Sequence, residues 1–364
     1  MLFVLGKAGS SKTTSILKTI KDNFICLAYT HSAISNMKNI YNNLNNDLDI
    51  DDLDNFQTIH HYFRIDYNNN IHLKEIPKNI GFIIIDEFTL IPLELLSIIF
   101  NMIDKAKVKS IFIGDFLQLP SINTNNVNYS NDITQLSIKD YPMTFYQAIN
   151  IYNHLSRTCY FTKYYNDSKK IIMKRNFRCN DKVLNVLNNA LNLNFDIINI
   201  QDIHKYKDYT IIGSKYELLY KVYKLFNTNK ELKYNSSIGK INIQIGDVMW
   251  LIQTIDNDYL NGDEVEIKEL YEDQALICNK RNGMIKIINL DLLIPINYIT
   301  FHKSQGKTIN KVLMILDDLF EITMLYTGIT RAKEDIKFIN FNPKRLPNKD
   351  DVETFKILDK IIYP

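Results

Sequence analysis

The first third of the chain alternates short apolar runs with amphipathic stretches. The apolar runs are rich in β-branched or aromatic residues and occupy residues 2–5, 24–28, 82–85 and 110–113. Their length and composition are typical of buried parallel strands. Helical stretches such as 13–21 and 93–105 lie between them. This alternation predicts an α/β domain with a doubly wound sheet over residues 1–125.

The rest of the 364 residues is long enough for a second domain. A polar, Asn-rich connecting segment is predicted at 126–170 and a second domain at 171–364, with strands at 209–212, 312–316 and 336–341. Within that domain, short strand-like pieces between about 238 and 295 are separated by Asn261-Gly262-Asp263 and Arg281-Asn282-Gly283, sequences typical of hairpin turns. A small all-β insertion is expected there.

Composition adds little to the choice of function but limits the setting. The net charge is only +2, so any basic track for nucleic acid must be local. The four cysteines are scattered without a CxxC pair, which argues against a zinc site or a disulfide framework and favours a reducing intracellular compartment. No apolar run approaches the span of a bilayer, so we expect a soluble protein without a membrane partner.

The first candidate for chemistry is an octamer that follows one predicted strand and opens a helix. This is the context of a phosphate-binding P-loop, in which backbone N–H groups surround the phosphates. Lys12 would reach the β- and γ-phosphates, and the Thr13 hydroxyl would bind Mg²⁺. Ser11 stands where the pattern has glycine, and an ordinary strand–helix turn is the alternative. The octamer consists of Gly6, Lys7, Ala8, Gly9, Ser10, Ser11, Lys12 and Thr13.

Two carboxylates follow the apolar run at 82–85. Ligands bind at the carboxyl ends of strands in sheets of this type, which places Asp86 and Glu87 beside the phosphates. Asp86 would support Mg²⁺, and Glu87 would polarise the attacking water. The alternative is a solvated pair of acids at the end of a buried strand.

The segment Ile113-Gly114-Asp115-Phe116-Leu117-Gln118-Leu119-Pro120 resembles the third motif of superfamily 1 helicases, GDxxQLP. By that resemblance Gln118 senses the γ-phosphate. The other motifs follow in the family's order, with the closest likeness to the RecD/Dda-like branch 1B. Such a chain is expected to contain two RecA-like P-loop domains with parallel sheets and an SH3-like insertion in the second.

Further motifs resemble the family's segments that contact a nucleic-acid strand. They are Tyr29-Thr30-His31, Thr58-Ile59-His60 and the longer Thr300-Phe301-His302-Lys303-Ser304-Gln305-Gly306. Hydroxyl and imidazole groups bind phosphates, although a helix cap or a core histidine is the alternative at each position. The implied strand-contacting residues are Thr30, His31, Thr58, His60, Thr300, His302, Lys303 and Gln305.

Two arginines complete the resemblance. Arg178 in Asn176-Phe177-Arg178 and Arg331 in the segment 326–333 match arginine fingers that stabilise charge on the transferring phosphoryl group. A solvated surface charge is the alternative for Arg178. The resemblance also assigns Thr14 and Gly306 to ATP binding. The implied catalytic set is Lys12, Glu87, Gln118, Arg178 and Arg331.

Taken together, these motifs predict an ATP hydrolase that works as a helicase or translocase. ATP and Mg²⁺ would lie in a cleft between the two domains, and hydrolysis would drive stepping on single-stranded DNA or RNA and duplex unwinding. The 5′→3′ direction follows from the family alone. Two alternatives stay open at this point: a P-loop ATPase that remodels protein assemblies, and a catalytically silent nucleic-acid-binding module.

Overall fold

The computed structural model describes residues 1–20, 23–45, 55–64, 76–91, 93–119, 168–227, 232–256, 258–317, 322–342 and 348–363. The chain divides into two compact units. Unit 1 contains Met1–Arg178, Glu321–Thr323 and Asn348–Pro364, and unit 2 contains Cys179–Phe320 and Met324–Pro347. The predicted connecting segment at 126–170 lies almost wholly outside the described residues.

Unit 1 is built on a six-stranded parallel sheet with the order β3-β2-β4-β5-β1-β6. Because all neighbouring strands are parallel, the chain must cross from one end of the sheet to the other between successive strands, and helices make crossovers of this kind. The strands are β1 (Leu2–Gly6), β2 (Phe24–Ala28), β3 (Phe56–Thr58), β4 (Phe82–Asp86), β5 (Lys109–Gly114) and β6 (Lys169–Met173). The helices between them are α1 (Lys12–Thr19), α2 (His31–Leu44), α3 (Ile59–Phe63) and α4 (Leu93–Ala106).

Strands β1, β2, β4 and β5 of this sheet are largely apolar and buried on both faces, as a sheet covered by helices requires, whereas the edge strand β6 is exposed at its first three residues. Val4 and Ile84 pack with Leu17 of α1 and Met37 of α2. The neighbouring residue Phe3 belongs to a separate aromatic cluster, stacked on Phe112 at 5.1 Å between ring centroids and in contact with Phe88 and Phe100. Successive side chains of β1 therefore enter different packing clusters, on opposite faces of the sheet.

Unit 2 combines a parallel sheet with an antiparallel one. The parallel sheet has four strands in the order β15-β7-β16-β17, and the antiparallel sheet has five in the order β13-β12-β11-β10-β14. A hairpin of β8 and β9 adds a two-stranded sheet, and residues from all these regions share one hydrophobic core. The strands are β7 (Thr210–Gly213), β8 (Tyr234–Ser236), β9 (Gly239–Ile241), β10 (Val248–Leu251), β11 (Glu264–Leu270), β12 (Gln274–Asn279), β13 (Ile285–Asn289), β14 (Leu293–Pro295), β15 (Tyr298–Thr300), β16 (Ile309–Ile315) and β17 (Ala332–Ile339).

The remaining helices complete the element list. After β6 come α5 (Asp181–Ala190), α6 (Tyr216–Phe226), α7 (Phe301–Ser304), α8 (Ile322–Ile329) and α9 (Lys349–Ile362). Short 3₁₀ segments occur at Phe88–Leu90, Ile200–Tyr206 and Leu290–Leu292. The turn glycines predicted from sequence adopt left-handed backbone angles, with φ of 93° at Gly262 and 74° at Gly283. An all-β region thus lies where the insertion was expected; its SH3-like identity stays a prediction.

Two segments lie elsewhere than their sequence position suggested. Residues 169–173 were expected at the end of the connecting segment and the start of the second domain, yet they form β6, which pairs with β1 in the sheet of unit 1. Helix α9 was assigned to the second domain with the rest of 171–364, but Asn348–Pro364 groups with unit 1. The domain limits predicted from sequence therefore need correction at these two places and also at Glu321–Thr323, which groups with unit 1 as well. Contacts between residues far apart in sequence decide these assignments.

Candidate ATP site and nucleic-acid contacts

The candidate residues of unit 1 follow the carboxyl ends of its parallel strands. Strand β1 ends at Gly6, β4 at Asp86 and β5 at Gly114, and these three strands are neighbours in the order β4-β5-β1. Strands β2 and β3, which precede the Thr30 and Thr58 motifs, lie beyond β4. One edge of a single sheet thus presents the nucleotide candidates at one end and the strand-contacting candidates at the other.

The P-loop has the backbone angles that a tight phosphate loop needs. Gly9 and Ser11 both have positive φ, 78° and 58°, and Ser10 N–H donates to Lys7 O over 3.1 Å. Ser11 is left-handed (ψ 30°) and makes no side-chain cap to α1. The position where the motif has glycine is therefore one where glycine has no steric cost and serine does.

The Lys12 ammonium lies within this loop. Its Nζ donates to Gly6 O at 2.6 Å and to Lys7 O at 3.2 Å, and it lies 3.5 Å from Ser10 Oγ. All its acceptors belong to the P-loop itself, so the charge is held where phosphate oxygens bind in this class of loop. Thr14, the following residue, is half-buried on α1.

Thr13 and Asp86 meet at the start of α1. Thr13 Oγ1 donates to Asp86 Oδ2 at 2.9 Å, and the Glu87 backbone N–H donates to Asp86 Oδ1 at 3.0 Å. Burial and the neighbouring Glu87 charge raise the pKa of Asp86 to about 7, against the opposing effects of Thr13 and Lys12. A carboxylate and a hydroxyl at this distance are the hard oxygen donors that Mg²⁺ prefers, so the pair fits that ion.

Glu87 is held in a left-handed conformation with φ 50° and ψ 42°. For a non-glycine residue this conformation costs about 1 kcal/mol or more, and such costs cluster at functional positions. It initiates the 3₁₀ segment Phe88–Leu90. The strain and the position after β4 are consistent with the predicted role of Glu87.

Asp115 organises the loop after β5. Its side chain is fully buried and accepts from Leu117 N–H at 3.1 Å and from Gln118 Nε2 at 3.3 Å. A third donor is the Tyr363 hydroxyl, at 2.7 Å from Asp115 Oδ1. Gln118, the predicted γ-phosphate sensor, is therefore oriented by a buried acid to which the sequence analysis gave no role.

The segment that contains Arg178 packs on the P-loop. Asn176 Nδ2 donates to Ala8 O at 3.0 Å, and Phe177 N–H donates to Gly9 O at 2.7 Å. The approach is so close that a Cβ on Gly9 would lie 2.7 Å from Arg178 Cβ. Arg178 is half-buried and lies beside the P-loop within unit 1, and its role as an arginine finger stays a prediction.

Arg331 lies in unit 2 between α8 and β17. It is buried, with 1% of its surface exposed, and its guanidinium donates from Nε to Thr327 O at 3.1 Å and from Nη2 to Thr330 Oγ1 at 3.4 Å. Arginine is seldom buried to this degree unless its charge has partners. Arg331 is thus fixed by its own helix end within unit 2.

Three threonines of the strand-contacting motifs cap helices. Thr30, Thr58 and Thr300 accept from the backbone N–H groups of Ala33, His61 and Lys303 at 3.2, 3.3 and 3.4 Å. The capping alternative is therefore present at each of these positions. It does not exclude strand binding, because a hydroxyl that accepts a hydrogen bond still carries its own proton to donate to a phosphate.

Tyr29 and His60 link the first two strand-contacting motifs. Their ring centroids lie 5.3 Å apart, and burial lowers the pKa of His60. Burial thus disfavours the charged form of His60, and a neutral imidazole binds a phosphate by hydrogen bonding. His31 starts α2 and His302 lies in α7, both half-buried.

Lys303 is the most unusual residue of the motif in unit 2. Its Nζ is buried and has no hydrogen-bond partner among the residues that the structure describes, and burial and the Lys307 charge lower its pKa to about 8. Lys307 Nζ lies 3.6 Å from the centroid of the Trp250 ring, and its pKa is also about 8 because of burial. Gln305 is buried and Gly306 has a φ of 77°.

Residues of helix α9 were missed from sequence. Asp359 forms an ion pair with Lys7 at 2.7 Å, and Tyr363 binds Asp115. Neither carries a motif, so no signal in the sequence identified them. Within the described residues there is no group of three or more His, Cys, Asp or Glu side chains arranged for a metal ion, and no helix there is long and apolar enough to cross a membrane.

Comparisons with known proteins agree with this architecture. Residues 1–124 match the model of an AAA domain. The ATP-dependent DNA helicase Pif1 of Campylobacter jejuni subsp. jejuni serotype O:2 is 24% identical over 311 residues, which cover 71% of this chain and 69% of that protein.

Solved structures extend the similarity over the whole length. The Pif1 helicase from Bacteroides in complex with ADP-AlF3 and single-stranded DNA aligns with 99% of this chain and 93% of its own, at a TM-score of 0.57 and 19% identity. A structure on DNA unwinding at forked duplexes by two coordinating Pif1 helicases aligns with 100% and 94%, at a TM-score of 0.61 and 18% identity. The predicted fold class with RecA-like domains and parallel sheets is confirmed.

Proposed function

We propose that this chain, a superfamily 1B helicase homologue of the Pif1/RecD type, is an ATP-dependent translocase and helicase on single-stranded nucleic acid. The observation that carries the proposal is the sheet edge of unit 1, where Lys12 and Thr13 follow β1, Asp86 and Glu87 lie at the end of β4, and Thr13 is hydrogen-bonded to Asp86. The comparisons add DNA as the substrate class, because two of the solved structures of Bacteroides Pif1 are described with single-stranded DNA.

In this proposal each group of the edge has one task. Lys12 neutralises the β- and γ-phosphates, and Glu87 orients the attacking water. Thr13 and Asp86 would hold Mg²⁺, which supplies charge neutralisation at the phosphates when bound. Gln118 responds to the γ-phosphate. The arginine-finger roles of Arg178 and Arg331, and the 5′→3′ direction, rest on the family resemblance.

Strand binding is assigned to the second set of motifs. Thr30, Thr58 and Thr300 would donate hydroxyl protons to backbone phosphates, and Lys303 would contribute a positive charge. His31, His60, His302 and Gln305 complete this set by resemblance. Contacts of this kind bind the phosphate backbone with little regard to sequence, so affinity should fall as salt rises. An intracellular location stays a prediction from the cysteines.

The test is an ATPase titration with single-stranded DNA and single-stranded RNA in parallel, followed by unwinding of duplexes tailed at either the 5′ or the 3′ end. We expect turnover to be stimulated by a single strand, most strongly by DNA, and unwinding to need the 5′ tail. Turnover that no strand stimulates contradicts the proposal. Stimulation by a protein partner alone would favour the remodelling ATPase instead.

A variant pair separates catalysis from binding. Glu87→Gln should lower turnover by about a thousandfold while ATP still binds, since a general base contributes on the order of 10²–10⁴. Glu272→Gln, an exposed acid in the turn between β11 and β12, is the matched control and should behave as the wild type. If Glu87→Gln retains full turnover, the measured hydrolysis does not come from this site.

A further inference from the structure

Helix α9 brings two side chains to the candidate ATP site from the far end of the chain. Asp359 Oδ2 accepts from Lys7 Nζ at 2.7 Å, a contact between residues 352 positions apart. One turn further on, the Tyr363 hydroxyl donates to Asp115 Oδ1 at 2.7 Å across 248 positions. Both contacts lie within unit 1. The same helix end therefore touches the P-loop and the loop after β5.

The contact with Asp115 is the more consequential one. Asp115 is 0% exposed, and its carboxylate must be satisfied by protein donors because water does not reach it. Its Oδ1 binds Leu117 N–H and the Tyr363 hydroxyl, and its Oδ2 binds the Gln118 amide. The phenolic hydrogen bond, at 2.7 Å, has the usual length of an O–H···O contact.

Burial and hydrogen bonding restrict the orientation of the Gln118 amide. It is buried, and its Nε2 lies 3.3 Å from Asp115 Oδ2, so its position follows that of the carboxylate. Rotation of the Asp115 carboxylate would move the Gln118 amide. Tyr363 holds the other oxygen of the same carboxylate and thereby restricts this rotation.

The Lys7–Asp359 pair joins the last turn of α9 to the P-loop. Asn348 and Asp351 form a capping box at the other end, so local sequence sets where the helix starts. The Lys7 and Asp359 side chains are 43% and 30% exposed, so the pair contributes little stability. The pair and the Tyr363–Asp115 hydrogen bond together connect the end of α9 with the P-loop and the loop after β5.

We propose that Tyr363 is a positioning residue of the ATP site, which orients Gln118 through the buried carboxylate of Asp115. This inference rests on the proposed function, because it assigns to Gln118 a part in ATP turnover. Tyr363 itself need not touch the nucleotide. Through this contact helix α9 becomes a structural part of the ATP site of unit 1.

The experiment compares Tyr363→Phe with Tyr271→Phe in the full chain. Tyr363→Phe keeps the ring and removes the hydroxyl. Tyr271 makes an equivalent tyrosine–carboxylate contact, to Glu269 Oε2 at 2.7 Å, but on the exposed surface of the antiparallel sheet. We expect Tyr363→Phe to lower kcat for strand-stimulated ATP hydrolysis about fivefold, the effect of one hydrogen bond, with little change in KM for ATP. Tyr271→Phe should leave both constants unchanged.

A second measurement does not depend on activity. Hydrogen–deuterium exchange followed by mass spectrometry reports on the amides of Leu117 and Gln118, which bond to Asp115 in the wild type. We expect Tyr363→Phe to speed exchange in the peptide that spans 112–119, and Tyr271→Phe to leave it unchanged.

The outcomes separate the two proposals. Faster exchange together with a lower kcat supports the positioning role. Faster exchange with an unchanged kcat, or unchanged exchange, overturns it. A wild-type chain that hydrolyses ATP without any response to a strand contradicts the proposed helicase function, whereas the kcat and exchange of Tyr363→Phe still decide the role of Tyr363 in turnover.

Discussion

Two lysines of this chain occupy phosphate-binding motifs under opposite conditions. In unit 1, the Lys12 ammonium donates to two carbonyl groups of its own loop. In unit 2, the Lys303 Nζ is buried without a hydrogen-bond partner among the described residues, and its pKa falls to about 8. The charged form of Lys12 is thus stabilised by hydrogen bonds, whereas the charged form of Lys303 is destabilised by burial and by the Lys307 charge.

The difference indicates how each site is used. The Lys12 ammonium is already oriented toward the position of the phosphates before ATP binds, as stabilisation of the transition state requires. A buried ammonium without a partner costs free energy in the folded protein, and that cost is offset when an anion binds. We infer that the P-loop serves phosphoryl transfer at the γ-phosphate of ATP. The motif around Lys303 would instead bind the phosphates of a nucleic-acid strand reversibly.

The largest effect that tests this comparison comes from Lys12→Ala. We expect the rate of ATP hydrolysis to fall by at least about a hundredfold, because charge stabilisation at the transferring phosphoryl group is lost. The affinity for a single strand without nucleotide should stay within about twofold of wild type. Steady-state ATPase assays and fluorescence anisotropy with a labelled oligonucleotide measure the two quantities.

Lys18→Ala is the matched control for this prediction. Lys18 lies on the same helix, is exposed and lies in the last turn, outside the P-loop. It should change neither quantity. If Lys12→Ala abolishes strand binding as strongly as hydrolysis, the proposed separation of the two sites is wrong.

The difference between the two sites also marks what the sequence was able to predict. The P-loop, Asp86-Glu87 and the loop with Gln118 each follow a strand directly, so local pattern placed them at one sheet edge, and the fold class is confirmed. The pairing of β6 with β1 and the contact of Tyr363 with Asp115 join residues that are far apart in sequence. No periodicity or turn signal encodes such pairing. Likewise, the burial of Lys303 depends on the packing of the side chains around it, which the sequence of the motif does not predict.

A smaller effect is expected from Lys303→Met. The variant keeps the apolar stem and removes the charge, so single-strand affinity should fall about tenfold and the slope of log K against log salt should decrease by about one. At the same time the free energy of unfolding at pH 7 should rise, because the buried charge is gone. Titrations at several salt concentrations and urea denaturation measure these changes.

The pH dependence of stability and strand affinity in the wild type tests whether the charge of Lys303 causes these effects. Because the pKa of Lys303 is about 8 in the folded protein, below its ordinary value, the penalty for the charged form is fully present below pH 8. It declines as the pH rises from about 8 toward the ordinary lysine range, so the stability advantage of Lys303→Met should shrink over that interval. Wild-type strand affinity should fall over the same range, more steeply than that of the variant.

Lys311→Met serves as the control for both measurements. Lys311 has 41% of its side chain exposed and is paired with Asp208, which raises its pKa. We expect this substitution to leave the pH profile of strand affinity unchanged. An equal loss of affinity in Lys303→Met and Lys311→Met would mean that general positive charge, and not the buried ammonium, binds the strand.

The smallest effect concerns the P-loop backbone. Ser11 has a φ of 58° and its side chain makes no cap to α1, so Ser11→Gly removes steric strain without losing a hydrogen bond to the helix. Glycine also gains freedom in the unfolded chain, and we therefore expect a net increase in the free energy of unfolding of only about 0.5 kcal/mol. Urea denaturation followed by far-ultraviolet circular dichroism measures it. Ser11→Ala keeps the Cβ and should show no gain. A loss of stability in Ser11→Gly would mean that the serine side chain stabilises the loop by more than its backbone strain costs. The contrast between the pre-oriented P-loop and the motif with the buried Lys303 ammonium would then be weaker than proposed.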